Sequence, residues 1–157
     1  MLSRPGFCGR ARLPMRTITF IGAGAVRILG TIRELADGRG TLVGAELRLM
    51  DPDARRLAAV AALARSMPEV RSAGMRVVDT PDLSRALDGA DVVFQTIRIG
   101  GLDALLADLR ICREYRLHGA DDFGPSSVSI SVRTIPAVLA TARAMERLCP
   151  RAWLLNY

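Results

Sequence analysis

The sequence predicts an α/β fold built on a doubly wound parallel sheet. Three observations predict it. Short strand-like runs alternate with segments whose apolar residues recur at helical spacing, which implies a parallel sheet with right-handed crossovers. A glycine-rich turn, Gly22-Ala-Gly24, joins the first such run to the first helical segment. The chain has 157 residues, 50% of them hydrophobic, enough for one domain with a substantial core.

The elements follow in order. Thr17-Ile-Thr-Phe-Ile-Gly22 reads as a buried strand. Ile28, Leu29, Ile32, Leu35 and Ala36 mark one helix face, which Asp37-Gly38-Arg39-Gly40 breaks. Ala45 to Met50 is the second strand, ending at Asp51. Residues 53–67 form a helix with Leu57, Val60, Ala61, Ala64 and Met67 inward, stopped by Pro68. Arg76 to Asp79 is the third strand. Thr80-Pro81-Asp82 predicts a helix start with Thr80 as N-cap and Pro81 in the first turn. Asp91 to Gln95 is the fourth strand, followed by a loop, Arg98-Ile-Gly-Gly101. Leu102, Leu105, Leu106, Leu109 and Cys112 then predict a longer helix, and residues 118–131 a loop. Pro136 is expected to open or kink the last helix, with Val138, Ala142, Met145 and Cys149 inward. Trp153 to Asn156 is the fifth strand. A parallel strand is an unusual terminus, so the domain is expected to be truncated after about this strand.

Charge and cysteines exclude several function classes. All 22 basic residues are arginine, against 16 acids, for a formal net charge of +6. Arg4, Arg10, Arg12 and Arg16 lie in the acid-free residues 1–16, leaving 18 arginines against 16 acids elsewhere. Aromatic residues are only 4%, too few for a base-stacking surface, so no nucleic-acid partner is expected. No apolar run is long enough for a membrane span. Residues 1–15 lack the apolar core of a secretory signal and are expected to be a disordered leader, with folded structure from residue 16 on. Cys8, Cys112 and Cys149 are far apart with no CxxC or Cys/His cluster, which supports neither a zinc site nor a disulfide framework. Cys112 and Cys149 are expected to be buried thiols, and a reducing cytoplasm is the default compartment. His118, the only histidine, is expected to be solvated or structural.

The chemistry sits in the first turn. Gly22-Ala-Gly24-Ala25-Val26-Arg27 has the form of the dinucleotide fingerprint, with Arg27 at the third glycine position. Gly22 permits the tight turn, and Gly24 lets backbone N–H groups approach a pyrophosphate at the positive end of a helix dipole. Asp51 ends the second strand, where an acid accepts hydrogen bonds from the adenosine ribose and repels a 2′-phosphate. The fold expectation is therefore an NAD-binding Rossmann-like domain. A 2-hydroxy-acid dehydrogenase shares the glycine turn and an arginine after strand four, so that alternative stays open. So does a non-catalytic NAD-binding module.

A more specific pattern spans most of the chain. The segments are Ile21 to Arg27, Leu49-Met-Asp-Pro-Asp53 with Arg56-Leu57, Thr80 to Leu87 with Gly89-Ala-Asp91, Ile97-Arg-Ile-Gly-Gly-Leu102, Arg133-Thr-Ile-Pro136, and Cys149-Pro-Arg-Ala-Trp-Leu-Leu-Asn-Tyr157. Together they resemble the N-terminal domain of family 4 glycoside hydrolases, the NAD- and metal-dependent 6-phospho-glycosidases and α-galactosidases. This family lies outside the two-carboxylate scheme of most glycosidases. The resemblance implies cleavage of O-glycosyl bonds by transient oxidation of the sugar at C3 and elimination. It implies NAD as cofactor, a manganese-like ion in the full-length enzyme, and a glycoside or 6-phospho-glycoside as substrate.

By position, the resemblance places Gly22, Gly24, Ala25, Val26 and Arg27 at the pyrophosphate, Asp51 at the adenosine ribose and Asn156 near the nicotinamide. It places Arg98 at the sugar or sugar phosphate, with Asp121 standing where the family carries a substrate-facing glutamate. Two departures are visible. Ser126 and Ser127 replace two family glycines. The family's metal-binding Cys and His and its tyrosine base would fall after Tyr157. No catalytic or metal residue is therefore expected in this chain. The fragment is expected to be inactive alone, and the full-length protein homo-oligomeric.

Overall fold

The computed structural model describes residues 17–37, 42–120 and 123–157. The leader and Asp121 lie outside the described residues. Five strands form one sheet: β1 Thr17–Ile21, β2 Glu46–Met50, β3 Arg76–Thr80, β4 Val92–Gln95 and β5 Trp153–Asn156. All pairings are parallel, in the order β3-β2-β1-β4-β5. The six helices of the described residues are α1 Ile28–Asp37, α2 Ala54–Ser66, α3 Pro68–Ser72, α4 Leu83–Leu87, α5 Gly101–Glu114 and α6 Pro125–Leu148. Winding runs outward from β1 to β3, then returns to the other side of β1 with β4. The reversal between β1 and β4 opens a crevice at their C-terminal ends.

Strand alternation divides the core between the two sheet faces. Ile18, Phe20, Leu47 and Leu49 pack with Ile28 and Ile32 of α1, Leu57, Val60, Ala61 and Ala64 of α2, and Val70 of α3. Phe20 stacks on Phe94 across the β1–β4 pair, with ring centroids 4.9 Å apart. On the opposite face Ile21, Met50 and Val93 pack with Ala86 and Leu87 of α4 and Ala144, Met145 and Cys149 at the end of α6. Cys112 and Cys149 are both buried free thiols. Burial, with a smaller contribution from the nearby Asp88 charge, pushes the Cys149 thiol up.

The structure corrects three sequence expectations and extends a fourth. Pro68 does end α2, but it also occupies the first turn of a new short helix, α3, because a proline costs nothing where no helical N–H partner exists. Thr80 does not cap α4. It is the last residue of β3, and Asp82 takes the cap, accepting from the N–H groups of Ser84 (2.8 Å) and Arg85 (3.3 Å). Residues 125–131 are not loop; they are the first two turns of α6. Pro136 therefore does not open that helix but lies inside it. The carbonyl deprived of its donor belongs to Val132, on a surface where water can serve it (Val132 is 68% exposed).

The third and fourth strands match the expected runs to within a residue. The α5 face matches less well. Leu102 and Leu106 are exposed, while Asp108 and Cys112 are the buried members of that helix. No helix of the described residues is long and apolar enough to cross a membrane.

Candidate functional site

The sharp turn after β1 is fixed by main-chain contacts. Gly22 and Ala23 both donate to the carbonyl of Met50, each at 2.9 Å, and Thr96 donates to the carbonyl of Ile21 at 2.9 Å. Gly22 has φ +84, and a Cβ there would lie 2.7 Å from the Thr96 carbonyl oxygen. Only glycine satisfies both demands. Regular helix starts at Ile28, so residues 25–27 form an entry turn closed by Ile28 N–H to Ala25 O (3.2 Å) and Leu29 N–H to Val26 O (3.0 Å).

Asp51 ties the second strand to this turn. Its Oδ2 accepts the Gly24 N–H at 2.8 Å, and its Oδ1 accepts the Asp53 N–H at 2.9 Å. A Cβ on Gly24 would sit 2.8 Å from Asp51 Oδ2. The second glycine is thus required by the carboxylate it faces. Asp53 in turn caps α2, accepting the Arg56 N–H at 3.0 Å, and pairs with the Arg56 guanidinium at 3.2 Å.

A cleft of about 480 Å³ opens over these ends. Gly22, Gly24, Ala25, Arg27 and Asp51 form one part of its wall, and Arg98 stands in another with Thr96 and Ile97. Such a volume is in the range of small-molecule sites. Val26 and Asn156 do not line it. Val26 is 64% exposed. Asn156 ends β5 in register with Gln95 of β4. Arg27 lies with its guanidinium carbon 5.3 Å from the centre of the Tyr157 ring, a cation–π distance that links the first turn to the end of β5.

Among the lining residues not predicted as site residues, Arg56 and Leu102 are the most informative. Arg56 stands in the first turn of α2, and the signal was available: a helix capped directly after Asp51 must present its first turn to the crevice. Leu102 carried the opposite signal, since helical spacing assigned it to the core. It is 69% exposed and lines the cleft. The two serines near the start of α6 are turned to their own backbone. Ser126 Oγ donates to the Ala120 carbonyl at 2.7 Å and accepts the Ala120 N–H at 2.9 Å, while Ser127 Oγ donates to the Gly124 carbonyl at 2.7 Å. His118 stacks on Phe123 with centroids 5.1 Å apart. Among the described residues no group of three or more His, Cys, Asp or Glu side chains could hold a metal ion.

Comparison with known proteins assigns the family. The model of family 4 glycosyl hydrolases matches residues 17–157. The chain belongs to this family. It is 38% identical over 114 residues to a probable 6-phospho-β-glucosidase of Bacillus subtilis, covering 71% of this chain and 26% of that protein. It is 32% identical over 146 residues to an α-galactosidase of the same organism, covering 91% and 34%. Crystal structures of a 6-phospho-α-glucosidase from gut microorganisms superpose on 90% of this chain with TM-score 0.82. One, 25% identical, holds NAD and glucose 6-phosphate, and the other, 21% identical, NAD and Mn2+. The family 4 chain described here spans about a third or less of the length of these relatives.

Proposed function

We propose that this domain is the NAD-binding part of a glycosidase acting on a small glycoside or 6-phospho-glycoside, either a 6-phospho-β-glucosidase or an α-galactosidase. The observation that carries the reading is the Gly24–Asp51 hydrogen bond at the wall of a cleft that also holds Arg98. The cradle fits a dinucleotide. A turn in which neither glycine can bear a Cβ exposes main chain where a pyrophosphate must approach closely.

Each residue has a defined task in this reading. The Gly22–Arg27 turn, including Ala25 and Val26, receives the pyrophosphate, and the Arg27 guanidinium leaves the Tyr157 ring to meet its charge. A carboxylate offers about four acceptor positions. Asp51 gives one to Gly24 and one to Asp53, so two remain for the ribose hydroxyls. The same negative charge opposes a 2′-phosphate, which selects NAD over NADP. Asn156 meets the nicotinamide end. Arg98 meets the sugar, its planar fork suited to a phosphate or a pair of hydroxyls, and Asp121 joins it there. NAD, when bound, supplies reversible oxidation of the sugar at C3, which acidifies the C2 proton for elimination. A divalent ion belongs to the full-length enzyme. The described residues offer no ligand set for it. The full-length protein is read as a cytoplasmic homo-oligomer without nucleic-acid or membrane partners.

Thermal denaturation tests this directly. Saturating NAD raises the Tm of the chain by mass action, and Asp51→Ala removes the rise. A well-folded wild-type chain whose Tm ignores millimolar NAD would contradict the reading.

A further inference from the structure

Asp108 is an unusual residue for the middle of an amphipathic helix. It is buried, only 7% exposed, among positions where α5 meets α6. Arg133 of α6 grips it with both arms: Nη1 donates to Oδ1 at 3.2 Å and Nη2 donates to Oδ2. Ser129, one helical turn earlier on α6, also donates to it. Bidentate pairs of this kind fix direction as well as distance. The far side of the arginine is equally informative. Its Nε is buried and has no hydrogen-bond partner, and it faces Gly100, where a Cβ would lie 3.7 Å away.

Gly100 is the turning point of the loop that carries Arg98. It has φ +84, the left-handed region, and a Cβ there would meet Ala104 Cβ at 2.6 Å. Gly101 N–H closes back on the Arg98 carbonyl at 3.2 Å, and Ala104 N–H on the Gly100 carbonyl at 3.2 Å. The space beside Gly100 is therefore bounded by Ala104 of α5 and by the Arg133 side chain, which an added Cβ would meet at 2.6 Å and 3.7 Å. An arginine has several rotatable bonds and would not hold a wall by itself. The Asp108 carboxylate is what stops it rotating.

We infer that Asp108 is a positioning residue for the substrate end of the cleft: through Arg133 it sets the Gly100–Gly101 turn, and through that turn the direction of Arg98. The inference rests on the reading of Arg98 as the sugar-facing arginine. It assigns a role to a buried carboxylate that touches neither cofactor nor substrate.

The test has two arms on the full chain. In the first, amide hydrogen exchange is followed in wild type, Asp108→Asn, Arg133→Lys and Asp108→Glu. Exchange at Gly101 and Ala104 rises about tenfold in Asp108→Asn and Arg133→Lys, while the β1 and β2 amides keep their protection. Asp108→Glu, which retains the pair, restores most of it. Arg133→Lys leaves no unpaired buried carboxylate and serves if Asp108→Asn fails to fold. Unchanged loop exchange in folded variants overturns the inference. So does a uniform rise along α5 and α6, which would mark a plain clamp between helices. In the second arm, glucose 6-phosphate is titrated in the presence of NAD. Its Kd rises about tenfold in Asp108→Asn, with the Kd for NAD changed by less than about twofold. A wild-type chain that binds no glucose 6-phosphate refutes the sugar reading of Arg98, while the exchange arm still decides whether Asp108 holds the loop.

Discussion

The two sides of the sheet are completed in different ways. The side covered by α1, α2 and α3 is an apolar core of aliphatic side chains, locked at the crevice by main-chain hydrogen bonds and by one carboxylate, Asp51. The side reached by α4 and α6, with α5 against α6, is held by fewer apolar residues and by polar links such as Asp108–Arg133. It also buries Gln95 completely without a partner for either amide atom. Apolar side chains stand exposed on its outer helices, among them Ile111, Val128 and Val132, the last at 68%. The contrast teaches that the proposed cofactor end of the cleft is dictated by backbone geometry. The proposed sugar end depends on side chains whose orientation other side chains set.

Four substitutions sharpen that contrast, and the largest effect falls on the backbone side. Gly22→Val forces a β-branched residue into a positive φ and against the Thr96 carbonyl. It should cost about 3 kcal/mol or more of stability, read from urea denaturation. A loss below about 1 kcal/mol would mean the turn is softer than its geometry implies. Asp108→Asn comes second, with a clear fall in the urea midpoint, because one partner of a buried ion pair is left behind.

The same pair gives a pH dependence. The Asp108 carboxyl is held below the usual carboxylate range, first by the hydrogen bond from Arg133, with burial opposing and the Arg133 charge and Ser129 assisting. Its contribution is complete above the ordinary carboxylate pKa and fades as pH falls through the lower folded value. The stability difference between wild type and Asp108→Asn should therefore shrink on acidification. A constant difference from neutral to strongly acid pH would contradict this.

Gln95→Met is third and opposite in sign. It removes two buried polar atoms without partners, and stability should rise by about 1 kcal/mol. A loss instead would show that the amide is satisfied in solution. Leu102→Ser is smallest. On an exposed helix position it should change stability by no more than about 0.5 kcal/mol, despite the helical spacing that placed it in the core. A larger loss would restore the core reading of that face.

These residues also show what was legible in the sequence. Strands β1, β3 and β4 were visible as β-branched runs, while β2 (Glu-Leu-Arg-Leu-Met) and β5 (Trp-Leu-Leu-Asn) were visible as short apolar or alternating runs bounded by glycine, acid or proline. The Gly22–Asp51 constellation was visible because its spacing reflects a local strand–turn–helix unit. The start of α6 was not visible, because Gly124-Pro125-Ser-Ser reads as loop and helix termini depend on tertiary packing. Helical periodicity alone could not tell which stripe of α5 faces inward. Leucines stand on more than one side of that helix, and the decisive buried residue is an aspartate whose partner lies 25 residues away.

Calorimetric titration of the chain with NAD and with NADP tests the central claim most directly. The account predicts saturable one-to-one binding of NAD and at least about tenfold weaker binding of NADP, the discrimination expected from a carboxylate at the 2′ position. Asp51→Ala should weaken NAD and narrow the gap. Equal affinity for the two dinucleotides, or no saturable binding of NAD by folded wild-type chain, would contradict it.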